Sequence, residues 1–139
     1  MRAFLLRLPL WAVALWWGSL STIGFLVVPL LFIYLPTPAM AGGMAAKLFT
    51  AQTWVSVVCA ALLLVVSRPG EAGDGETPLQ AARLHVIGGL LLALLAEFAV
   101  APRIVARENL ALWHRVGSAM YVLQWVCAAI TFWRLTRRR

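Results

Sequence analysis

The sequence predicts an all-α integral membrane protein, a four-helix antiparallel bundle, and three observations lead there. The first is composition: 63% of the 139 residues are hydrophobic and 12% are charged, against roughly half and a quarter in soluble domains. The second is a mean hydropathy of +0.87. A soluble fold this small leaves too much surface exposed to hide that much apolar area. The third is distribution: the charged residues fall almost entirely between long apolar runs. A soluble enzyme, a disulfide scaffold and a disordered chain are excluded.

The chain is read as one domain, residues 1–139, with spans at about 10–34, 43–66, 79–101 and 111–133. The first run, Leu10 to Tyr34, carries no charge and is long enough to cross a ~30 Å hydrocarbon core at about 1.5 Å per residue. Arg2 and Arg7 before it, and Ala39-Met40-Ala41 after it, are the parts of a signal peptide. The run exceeds the roughly 7–15 residues of a signal core, so it is read as a span. Pro29 lies inside it and is expected to kink it. The second run, Gly43 to Val66, holds Lys47 near its start. Ser67 to Pro78 is a polar loop rich in Gly, Pro and acids. The third, Leu79 to Ala101, carries Arg83 and His85 early and Glu97 late, and Pro102 is expected to close it. Asn109 or Ala111 opens the fourth, which ends near Trp133. Continuous runs exclude a membrane barrel, whose strands alternate.

The net charge of +7 is distributed like the flanks of membrane helices, so the lipid bilayer is the expected partner and nucleic acid is not. Four spans put the N-terminus, the middle loop and the C-terminus on one side. That side holds Arg2, Arg7, Arg68, Arg83, Arg134 and Arg137 to Arg139; the other holds Lys47, Arg103, Arg107 and Arg115. This bias predicts cytoplasmic termini in a bacterial inner membrane.

Small and polar residues should face other helices, since lipid satisfies no hydrogen bonds. In the fourth run His114, Gly117, Ser118, Tyr121, Gln124 and Ala128 share an arc of about 120°, opposite Leu123, Val126 and Ile130. In the first run Gly18, Ser21, Thr22 and Pro29 share a face with Phe25 and Phe32. Gly42-x-x-x-Ala46 opens the second run as a small-x-x-x-small contact pattern. Gly18, Pro29, Gly42, Ala46, Gly117, Tyr121 and Gln124 are therefore the expected helix-packing residues.

The non-cytoplasmic end gathers Lys47, Glu97, Arg103, Arg107, Glu108, His114, Arg115 and Ser118. Glu97 sits about 6 Å inside its span, where an unpaired charge costs ~2.5–3.5 kcal/mol or more. One reading is a polar pocket that binds anions or carries protons. The favoured reading is a Glu97 ion pair with Lys47, Arg103 or Arg107 that pins helices, with arginines reaching to headgroups. Soft ligands for copper are sparse: Met40, Met44 and His114 at this end, with Met120 turned away from the histidine arc. Bis-histidine haem within one chain is disfavoured, because His85 and His114 lie on the order of 15–20 Å apart along the bundle. Cys59 and Cys127 are expected to be unbridged and buried. Trp11, Trp113 and Trp133 read as interface anchors, and Trp16, Trp17, Trp54 and Trp125 as packing.

Several short motifs resemble the transmembrane protein 205-like domain family. They are Trp17-Gly18-Ser19, Gly24-Phe25, Pro29-x-x-Phe32 and Leu35-Pro36; Ala41-Gly42 with Ala45-Ala46 and Phe49; Pro102-Arg103-Ile104 with Arg107; and Trp113-His114-Arg115 with Ser118, Tyr121 and Gln124. They touch all four spans. Ala46 stands where that family more usually has glycine, and Glu97 where an uncharged polar residue is expected. The resemblance implies a small multi-pass membrane protein of undefined activity, and remote kinship with copper-resistance and haem-pathway four-helix proteins. The expectation is a non-enzymatic transport, accessory or structural role without a cofactor, with a copper- or haem-linked redox or transport protein as the alternative. A homo-oligomer or other membrane proteins are open as partners.

Overall fold

A computed structural model describes residues 2–67 and 77–137, and all its regular elements are helical. Four helices are long and apolar enough to cross a membrane: Arg7–Tyr34, Pro38–Val66, Pro78–Val105 and Leu110–Thr136. They are called the first to fourth helix below. Arg68 and most of the Ser67–Pro78 loop lie outside the described residues, as do Arg138 and Arg139.

Caps explain where the helices begin. The second starts at Pro38, not Gly43, because Thr37 caps it: the Thr37 hydroxyl accepts the Met40 N–H at 3.2 Å and Pro38 occupies the first turn. Threonine satisfies an orphan donor there, and proline's missing N–H costs nothing. Thr77-Pro78 repeats the device in the third helix, with a full capping box to Gln80. Both starts follow from Thr-Pro rather than from the apolar run, which is why the run placed one of them five residues late.

Pro29 and Pro102 are each accommodated by a wider helical turn. The first helix widens into a π turn at Ile23–Val27, closed by Val28 N–H on the Ile23 carbonyl, immediately before Pro29. The third does the same at Ala96–Val100, closed by Ala101 N–H on the Ala96 carbonyl, immediately before Pro102. A proline lacks the N–H for the ladder and its ring crowds the carbonyl four residues back. The wider turn takes up that mismatch. Pro102 therefore does not close the third helix, which restarts over Ala101–Val105. The return to the fourth helix uses Arg107 at φ 57° and Asn109 at φ 38°, left-handed positions that asparagine tolerates better than most residues.

The helices pack as a ring, first on second, second on third, third on fourth and fourth on first, with the third–fourth seam the most extensive. Inward positions follow three- and four-residue steps. Val13, Trp16 and Leu20 meet Ala60 and Leu63, Ala82 and Val86, and Ala128. Gly89 permits the centre: a Cβ there would stand 2.6 Å from the Trp16 ring. Aromatic rings line the first–fourth seam, with Trp17 against Phe132 at 5.6 Å and Phe25 edge-on to Trp125 at 5.5 Å. Outward faces carry Trp11, Leu84, Val105 and Trp133, an apolar exterior suited to lipid. Trp54 is there too, 56% exposed, and does not pack as expected.

The small-residue motif of the second helix is displaced by one position. Ala41 and Ala45 are the buried pair, while Ala46 is exposed and a Cβ on Gly42 would meet nothing within 4 Å. Gly18 is equally uncrowded. Neither Gly18 nor Gly42 with Ala46 makes a close intrachain contact. Pro29 is exposed as well.

Candidate functional site

A polar knot lies between three helices at mid-bundle. Gln52 and Ser56, one turn apart on the second helix, are 2% and 0% exposed. Gln52 Nε2 donates to Ser19 Oγ of the first helix at 3.0 Å. Gln124 Nε2 of the fourth helix donates to Ser56 Oγ at 2.8 Å. Ser56 Oγ donates to the Gln52 carbonyl at 3.0 Å, and Ser19 Oγ to the Trp16 carbonyl at 3.0 Å. Gln124 itself is 4% exposed. Each amide nitrogen thus donates to a hydroxyl whose own proton is held by backbone. Gln52 Oε1 and Trp16 Nε1 are buried without a hydrogen-bond partner among the described residues. These groups are neutral amides and hydroxyls. The arrangement orients and ties helices.

Towards the end of the bundle that holds the two π turns, Tyr121 repeats the logic. Its hydroxyl donates to the Leu20 carbonyl at 2.7 Å, and its ring lies directly over Gly24, where a Cβ would overlap it. Trp125 Nε1 donates to Ser21 Oγ at 2.8 Å. Gly117 sits under Val100 and Ile104 of the third helix. Gly117, Tyr121, Gln124 and Ala128 thus face the bundle.

The charged cluster assembles otherwise than its charges suggest. Glu97 lies in the π turn of the third helix, half-buried, and its Oε1 accepts from Thr50 Oγ1 of the second helix at 2.8 Å. The hydroxyl, not Lys47, is its hydrogen-bond partner. Arg103 holds its guanidinium 4.4 Å over the Trp113 ring. Lys47, Arg107, His114 and Ser118 are exposed. The upper part of the predicted arc therefore lies on the surface. The threonine hydroxyl supplies the carboxyl with a partner inside the bundle and offsets part of the cost of placing it there.

Met40 and Met44 are 54% and 46% exposed, and no group of three or more His, Cys, Asp or Glu is placed to hold a metal among the described residues. Cys59 and Cys127 are free thiols. Cys127 Sγ lies 3.8 Å from where a Gly88 Cβ would stand, so this thiol packs in the third–fourth seam.

Sequence reading missed Ser19, Thr50, Gln52, Ser56, Gly24 and Gly89 as site residues. Gln52 and Ser56 carried a usable signal: two polar residues at i, i+4 in the middle of an apolar run must face inward. Thr50 carried none, because a threonine can satisfy its hydroxyl on its own helix.

Residues 11–111 match the family model described as a domain of unknown function, DUF4149. Nothing among curated proteins or solved structures matches the chain. The matched stretch covers the first three helices and stops at the start of the fourth, before Tyr121 and Gln124.

Proposed function

The chain belongs to the DUF4149 family, and we propose from its own geometry that it is a non-enzymatic multi-pass membrane protein with an accessory or structural role. One observation carries this reading: the buried Gln52, Ser56 and Gln124 and the half-buried Ser19 join three helices through side-chain hydrogen bonds. Polar side chains spent in this way hold a scaffold together. The reading includes no resident cofactor. It also includes a bacterial inner-membrane location with both termini cytoplasmic, supported by the eight-to-four division of Lys and Arg between the two sides. The motifs shared with the transmembrane protein 205-like family support kinship with that group of small membrane proteins.

The deciding measurement is an absorbance spectrum and metal analysis of protein purified from membranes. A featureless visible spectrum and substoichiometric metal are expected. A Soret band or one copper per chain would overturn the reading in favour of the metal- or haem-linked alternative. Reporter fusions at Gly73 and after Arg139 should both report cytoplasm; a periplasmic signal from either defeats the orientation.

A further inference from the structure

We propose that the open cleft between the start of the third helix and the end of the fourth is a binding site for one anionic phospholipid. The cleft has a volume of 640 Å³ and is lined by Pro78, Ala81, Ile130, Trp133, Arg134 and Arg137. From Ile130 to Arg137 the fourth helix rises about 10 Å, so the apolar floor lies in the hydrocarbon while the arginines reach headgroup depth. Trp133, 63% exposed, is an aromatic side chain at that boundary, where indoles favour the interface.

The two guanidinium groups are held rather than trailing. Arg134 donates through Nη1 to the Ala81 carbonyl across the seam. Arg137 stacks over the Trp133 ring at 5.7 Å. Both retain N–H donors in the fork geometry that matches a phosphate diester. Charge selects the occupant: two cations above an apolar floor complement a lipid with a net negative headgroup and its acyl chains, and basic pockets between membrane helices take such lipids. A free phosphate would satisfy the arginines and leave the floor uncovered.

The test uses the full chain recovered from membranes and stripped of lipid, so its failure leaves the four-span reading standing. Native mass spectrometry reads retention from an equal mixture of phosphatidylglycerol and phosphatidylcholine. Each arginine near a membrane surface contributes roughly fivefold, so an anionic preference of about 25-fold is expected, falling about fivefold in Arg137→Gln. Arg103→Gln with Arg107→Gln, at the other end, should keep the full preference. Arg134→Gln also removes a helix–helix bond, so a second variant leaves the charges intact: Ile130→Trp should fill the floor and expel the lipid. Equal retention of the two lipids, an unchanged preference in Arg137→Gln, full retention in Ile130→Trp, or displacement by inorganic phosphate at equal concentration would each overturn the proposal.

Discussion

Gly24 and Gly18 are six positions apart on one helix and have opposite reasons to be glycine. Gly24 lies beneath the Tyr121 ring, and Gly89 beneath Trp16, so an added methyl must displace a large ring in a packed interior. Gly24→Ala and Gly89→Ala should each destabilise the protein by about 1–3 kcal/mol. Around Gly18 there is space, and Gly18→Ala should be neutral or gain up to about 1 kcal/mol through helix propensity. Thermal unfolding in detergent decides it, and a neutral Gly24→Ala would show that Tyr121 does not occupy this place. Glu97 gives a second test. A glutamine keeps an acceptor for the Thr50 hydroxyl, so Glu97→Gln should change stability by no more than about 0.5 kcal/mol. Thr50→Val, which strips the carboxylate of its partner, should cost on the order of 1 kcal/mol. A loss of several kcal/mol in Glu97→Gln would instead signal a stranded cation and restore the ion-pair reading.

Between helices, the polar knot is the specific tie. The first–fourth contact is largely aromatic, and the third–fourth contact relies on small residues: Gly88 and Gly89 against Cys127, Gly117 against Val100. The second–fourth diagonal has the Gln124–Ser56 bond. A double-mutant cycle of Gln124→Leu and Ser56→Ala should give a coupling near 0.6 kcal/mol and at most about 1.7 kcal/mol, the range for hydrogen bonds between membrane helices. Additivity of the two single losses would mean that the bond does not form. The two π turns belong to this scale as well. Each precedes a proline in one of two parallel helices, and the second carries Glu97, which accepts from Thr50.

For the molecule as a whole, the ring order of helices is testable with a thiol already present. Cys127 Sγ stands 3.8 Å from the position of a Gly88 Cβ, within the reach of disulfide geometry. Gly88→Cys should form an intramolecular disulfide with Cys127 under mild oxidation, visible as a mobility shift on a non-reducing gel. Gly18→Cys, in open space, should not. The native chain should show no intramolecular disulfide, as Cys59 and Cys127 are both free. A Gly88→Cys protein that never cross-links would contradict the third–fourth seam.

The helical class, the four-helix count and the approximate bounds were legible in the sequence, because length, absence of charge and Thr-Pro or loop signals act locally and bilayer thickness imposes the rest. Gly117, Tyr121, Gln124 and Ala128 were legible as an inward face, since polar and small residues on one arc have few other places to go. Facing in the remaining helices was less legible, with Gln52 and Ser56 the usable marker in the second. Lipid is as apolar as the core, so the contrast that marks the buried side of a soluble helix is nearly absent, and a reading one residue out puts Gly42 and Ala46 inward in place of Ala41 and Ala45. Partner choice was not legible either. Glu97, in a π turn of the third helix, meets Thr50 of the second, and Arg103 meets Trp113 across the turn between the third and fourth helices. Those pairings exist only once the helices have packed, as distances between residues that no sequence spacing encodes.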